Sequence, residues 1–151
     1  MNNNTIVMAN DADAPSVALS SSATGAVTGP FLVTVSFSEA VNGFSAGGLS
    51  VSNGVVSSFN AVSPAQYTAE IKPSADGPVT VEVRANATSD VGGNGNTASN
   101  TLSVMADTAA PTASLSAAIG DIASGPFELA ISFSEPVTGF TLDDLAMVGA
   151  V

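Results

Sequence analysis

The sequence repeats itself. Displaced by 96 positions, residues 11–55 align without a gap on residues 107–151, with 17 of the 45 positions identical. Asp11 falls on Asp107, Pro15 on Pro111 and Val55 on Val151. Agreement is densest from Gly29-Pro30-Phe31 on Gly125-Pro126-Phe127, through Ser36-Phe37-Ser38-Glu39 on Ser132-Phe133-Ser134-Glu135, to Val41 and Gly43-Phe44 on Val137 and Gly139-Phe140. A period this long exceeds the usual solenoid unit of about 20–45 residues and suits a self-contained domain with its own core.

The second copy reaches only the position matching Val55, so residues 56–106 have no counterpart in this sequence. At the other end, Asn4-Thr5-Ile6-Val7-Met8-Ala9 resembles the stretch from Asn100 to Ala106 with one residue dropped. The expected organisation is therefore a remnant of a preceding repeat's last strand at 1–10, a complete domain at 11–106, and a linker with the N-terminal half of a second domain at 107–151.

Within the complete copy the apolar residues alternate with polar ones, the period of half-buried antiparallel strands. Seven such runs are present: Val17 and Leu19; Phe31, Val33, Val35 and Phe37; Leu49 and Val51; residues 55–61; Tyr67, Ala69 and Ile71; Val79, Val81 and Val83; Leu102 and Val104. Turn-forming residues separate them, among them Asn42-Gly43, Asn53-Gly54, Ser63-Pro64 and Asp76-Gly77-Pro78, with a long glycine-rich loop at 92–96. No stretch has a helical period. The expected fold is all-β, two antiparallel sheets packed as a sandwich. Phe44 and Phe140, each after a glycine, are expected in the core.

Charge and composition narrow the function. Lys72 and Arg84 are the only basic residues against thirteen acidic ones, a net charge of −11. Such a surface repels nucleic acid and anionic membranes and attracts divalent cations. The chain has no Cys and no His, which removes disulfides, the usual zinc ligands and Ser-His or Cys-His nucleophilic chemistry. Lys72 shares the solvent side of its strand with Glu70 and Thr68, so a Ser-Lys pair is not expected either. No phosphate-binding glycine loop is found, since residues 92–95 join two strands and open no helix. No apolar run is long enough to span a bilayer, and the first residues lack the pattern of a signal peptide. The chain is read as no enzyme.

These motifs, namely F-S-E-x-V-x-G-F at 37–44, Asp76-Gly77, the loop at 89–96 and the linker Asp107-Thr108-Ala109-Ala110-Pro111-Thr112, resemble bacterial immunoglobulin-like domains. Those repeat in tandem in large surface proteins, including repetitive adhesins of the RTX type. The resemblance implies an immunoglobulin-like β-sandwich, an extracellular or cell-surface setting, and neighbouring repeats as partners. Some surface domains of this kind carry a Lys–Asn isopeptide bond, which requires a buried lysine; Lys72 is expected outside.

In that topology the approach to the first strand, the loop after residues 31–37 and the loop at 89–96 share one end. Asp11, Asp13, Glu39 and Asp90 then converge, with Asn94 or Asn96 nearby, offering the hard oxygen ligands that calcium prefers. The repeat sets Asp107 and Glu135 in the places of Asp11 and Glu39, and Ala109 in that of Asp13. Asp76 is read as a turn residue within reach of the linker near Asp107. The expected function is a structural spacer stiffened by calcium at its junctions. The alternatives are a carbohydrate- or protein-binding module, and a filament subunit that associates head to tail through residues 1–10.

Overall fold

β-Branched residues occupy alternate positions in most strands, and in the computed structural model, which describes residues 10–118 and 124–149, these positions point into one core. The first four strands are β1 (Val17–Ser21), β2 (Phe31–Phe37), β3 (Leu49–Ser52) and β4 (Gly54–Ser63). They are followed by β5 (Gln66–Pro73), β6 (Gly77–Val83) and β7 (Leu102–Ala106). One sheet has the order β1-β2-β5-β4 and the other β3-β6-β7, all antiparallel. Between them Val33, Val35, Ala69, Ile71, Val79, Val81 and Val83 are wholly buried. The all-β sandwich expected from the alternation is what forms.

Aromatic residues close one end of this core. Phe44 lies 5.1 Å from both Phe37 and Tyr67, in edge-to-face contacts, and 5.8 Å from Phe59. Tyr67 stacks on Phe59 at 5.7 Å and donates its hydroxyl to the Pro64 carbonyl at 3.2 Å, so its polar end is satisfied. Phe44 sits where Gly48 leaves room, because a side chain there would collide with its ring.

Unpaired strand edges invite association with other chains, and side chains or loops cover two of the four here. Asn100 spans the β1 edge: its Oδ1 accepts from Leu19 N–H at 2.9 Å and its Nδ2 donates to Leu19 C=O at 3.1 Å. The β7 edge is covered by Val27, whose N–H donates to Met105 C=O and whose C=O accepts from Asp107 N–H, both at 2.9 Å. The edge strand β4 carries two register shifts, between Val56 and Ser58 and between Ala61 and Ser63, which break up a long flat edge.

Antiparallel pairing fixes which loops meet. Val17 pairs with Phe37, so the start of β1 lies beside the end of β2. The backbone N–H of Asn42 donates to Ser89 C=O at 2.7 Å, joining the loop after β2 to the loop after β6. At the opposite end Gly77 pairs with Ala106. There Asn53, in the left-handed region (φ 57), turns the chain from β3 into β4.

A second compact unit starts at Ala109. It contains β8 (Ala113–Ser116) paired antiparallel with β9 (Ala130–Phe133). Details of the first unit recur at the repeat spacing. Ser16 N–H donates to Ser38 Oγ and Ser38 N–H to Ser16 C=O, each at 2.9 Å; Thr112 and Ser134 make the same two bonds at the same distances. Phe133 meets Phe140 edge-to-face at 5.1 Å, as Phe37 meets Phe44. The short 3-10 turn Ala46–Gly48 returns as Leu142–Asp144, capped by the Asp144 carboxylate on Thr141. The difference is burial. Phe44 is 5% exposed and Phe140 41%, so the expectation of a core position fails for Phe140. The strands that cover Phe44 in the first unit have no counterparts in this sequence. Residues 1–9, read as a strand remnant, lie outside the described residues.

Candidate metal centre

Three loops meet at the end of the sandwich where β1 begins. The Asp11 carboxyl comes from the approach to β1, Glu39 from the loop after β2, and Asp90 from the loop after β6. A carboxylate oxygen from each lies within 4.8 Å of the others, the one such group among the described residues. Asp11 and Glu39 are half-buried and Asp90 is 1% exposed.

The loop that delivers Asp90 is tied down along its length. Asn86 N–H donates to Asn96 C=O at 2.8 Å, Asn96 N–H to Thr88 C=O at 3.1 Å and Asp90 N–H to Asn94 C=O at 3.1 Å. Asn96, 1% exposed, fastens its base: Oδ1 accepts from Thr88 N–H at 2.8 Å, and Nδ2 donates to the carbonyls of Arg84 and Thr97 at 2.9 and 2.8 Å. The glycine-rich stretch is thus the tip of a bonded hairpin. Gly92 is needed where the loop crosses the approach to β1, since a Cβ there would come within 2.9 Å of Asp11 C=O.

Asn94 links two of the three acids. Its backbone N–H donates to Asp90 Oδ1 at 2.8 Å, and its Nδ2 donates to Asp90 Oδ2 at 3.0 Å and to Asp11 C=O at 2.9 Å. From the other side Asn42 Nδ2 donates to Asp90 C=O at 2.9 Å. The Asp90 carboxyl is held below the usual aspartate range, chiefly by the Asn94 side-chain bond, with backbone N–H groups at 92–94 adding to it and burial opposing. Glu39 goes the other way. Desolvation first, then the charges of Asp11, Asp90 and Asp13, push its carboxyl above the usual glutamate range. One anion is therefore built into the fold, and a second ionises against it. A cation placed between them would relieve that repulsion.

The remaining site candidates are placed as follows. Asp13 lies beside the group, near enough to act on Glu39, but it is exposed and outside the three-carboxylate set; its N–H donates to Asp11 Oδ1 at 3.3 Å. Asn96 faces the backbone of its own loop and is no ligand candidate. Asp107 is half-buried in the first unit with its N–H on Val27, and Glu135 is half-buried in the second. The second copy has no residue in the place of Asp90 within this sequence. Asn42 and the side-chain bonds of Asn94 were not singled out from the sequence; their Asn-Gly context signals a turn and nothing about whose carboxylate the amide meets. Asp76 does reach the linker: its Oδ1 accepts from both the N–H and the hydroxyl of Thr108, each at 2.7 Å. Lys72 is exposed, which leaves no buried lysine for an isopeptide bond.

The arrangement offers hard oxygen ligands to a cation. Among the described residues no helix is long and apolar enough to cross a membrane. No curated protein and no solved structure matches the chain. Residues 11–105 match the family described as Bacterial Ig-like domain, whose members are generally non-catalytic and usually occur in surface or secreted proteins. With the sandwich topology and this match over more than half its length, the chain belongs to the bacterial Ig-like domain family.

Proposed function

We propose that the chain is a structural spacer of a bacterial surface protein of the adhesin type, stiffened by calcium at the junctions between repeats. The observation that carries this reading is recurrence. The same strand pair, the same Thr/Ser or Ser/Ser clamp and the same aromatic contact return after 96 residues, joined by a short linker. A chain of equal modules sets a length. The acidic group supports the calcium part, because Asp11 belongs to the segment that enters the domain while Glu39 and Asp90 belong to its body. A cation bound by all three fastens the incoming linker to the sandwich.

Calcium titration of the full chain tests the metal. A ligand that binds only the folded form stabilises by RT ln(1 + [L]/Kd), about 2.7 kcal/mol at a hundredfold excess over Kd. The melting temperature of the first unit is expected to rise with millimolar calcium and to fall back on chelation. An unchanged melting curve together with a silent calorimetric titration would remove calcium from the proposal and leave the spacer.

A second reading follows from the exposed apolar face of the second unit. Leu115, Phe127, Leu129 and Phe140 are each at least 41% exposed, and a face of this kind associates when it finds a partner strand. Head-to-tail association through residues 1–10 of another copy would make the chain a filament subunit. Sedimentation separates the readings: association that depends on concentration and disappears on deleting residues 1–10 supports the filament, and a monomer at all concentrations sinks it. A direct binding module is disfavoured because Phe31, Phe37, Phe44 and Tyr67 are buried and Phe59, partly buried, packs against the same core.

A further inference from the structure

Two side-chain clamps bracket the linker between the units. On the near side, Asp107 N–H is held by Val27 C=O at 2.9 Å, and Asp76 Oδ1 takes both donors of Thr108 at 2.7 Å. On the far side, Thr112 and Ser134 exchange two bonds of 2.9 Å. No hydrogen bond reaches residues 109–111 among those described.

Asp76 is itself held in place. It sits in the β5–β6 turn next to Gly77, whose φ of 114 suits glycine alone. That turn is fastened from the β3–β4 corner: Asn53 Nδ2 donates to Ala75 C=O at 3.0 Å and to Pro78 C=O at 3.4 Å, and Asn53 C=O accepts from Ser74 N–H at 3.1 Å. The clamp on Thr108 therefore rests on two strand connections of the sandwich. The repeat marks it as particular to this linker, because the position matching Thr108 in the preceding one is Ala12, which has no hydroxyl.

We propose that Asp76 fastens the outgoing linker to the first domain, so that the held backbone of that domain runs on to Thr108 and the freedom of the linker falls to Ala109, Ala110 and Pro111. Of these three, proline fixes its own φ and biases Ala110 before it to extended backbone. Four residue steps from Thr108 to Thr112 span at most about 14 Å. The start of the linker is thus held through protein groups alone, with no dependence on a cation.

The test uses the full chain in chelator, which separates it from the calcium proposal. Amide exchange is expected to be slow at Asp107 and Thr108 and fast at Ala109 and Ala110. Asp76→Ala should speed exchange at Thr108 by about tenfold or more, the effect of losing a charge-assisted hydrogen bond. Asp76→Asn, which keeps the Oδ1 acceptor, should retain most of the protection. The melting temperature of Asp76→Ala should stay close to that of the parent, which separates loss of the clamp from loss of the fold. Thr108 exchanging as fast as Ala109 in the parent chain overturns the proposal. So does an Asp76→Ala variant in which Thr108 exchanges no faster than in the parent.

Discussion

A carboxylate oxygen of Glu39 lies within 4.8 Å of one of Asp90, although 51 positions separate the two in sequence and the acids respond in opposite senses. Asp90 is stabilised as an anion by Asn94, and Glu39 is hindered from becoming one by desolvation and its acidic neighbours.

That opposition gives a pH dependence. The folded state holds the Glu39 proton more tightly than the unfolded chain does, so this group's contribution falls as pH rises from the usual glutamate range through its raised folded value. Asp90 contributes stability above the usual aspartate range and loses it as pH falls through its lowered folded value. A cation at the site cancels the Glu39 effect. The melting increment produced by calcium should therefore be larger at about pH 7 than at about pH 5. Glu39→Gln should abolish that increment and, in chelator, flatten the fall in stability as pH rises. An increment independent of pH would contradict a site that includes Glu39.

Asp90 is the wrong residue for a clean metal knockout. Its buried carboxylate accepts from the N–H and Nδ2 of Asn94, so Asp90→Ala should lower stability in chelator by about 1–3 kcal/mol as those donors lose their partner. Glu39→Ala should cost little in the same condition. Equal losses in chelator melts would show that the loop does not depend on the Asp90–Asn94 bonds.

Asn96→Ala should cost about 2–3 kcal/mol, because it strips the Thr88 N–H and two carbonyls of buried partners. Gly95→Ala should also weaken this loop, since a methyl there overlaps the Asn86 side chain. Chemical denaturation of each variant measures the loss. A neutral Asn96→Ala would mean that water replaces the amide fully.

Phe37→Ala should cost about 3–5 kcal/mol, a truncation that removes two edge-to-face partners from the core. Leu32→Ala, on the same strand but 49% exposed, should cost less than about 1 kcal/mol. Comparable losses would contradict the register in which Phe37 pairs with Val17.

The second unit should lack a cooperative transition of its own. Phe127 is 54% exposed and Phe140 41%, and a unit of about 40 residues without metal or disulfide is near the lower limit for independent stability. Backbone amides of β8 and β9 should exchange far faster than those of β2 and β5, and protease should cut there first. Protection equal to that of β2 would show that the half-domain is covered by something else.

Much of this protein is written in its sequence. Alternation marked the seven strands of the first unit, because one face of each must be dry and the other wet, and the 96-residue recurrence revealed the repeated module without any knowledge of its shape. The three acids at one end followed once a sandwich topology was assumed, since antiparallel strands return their loops to two ends only. What sequence left open was set by packing across the whole domain. Asn100 and Asp76 look like ordinary loop and turn residues, yet one spans the β1 edge at Leu19 and the other holds Thr108. Asn94 and Asn96 are two positions apart, but one bonds to the acids and the other to the backbone of its own loop, a difference that the bends of the loop impose and no period predicts. Phe44 and Phe140 share a motif and a local contact and differ only in what lies above them. Local sequence sets the period, the turns and the nearest neighbour of a side chain; whether that side chain is buried depends on strands far along the chain, and that only the tertiary structure decides.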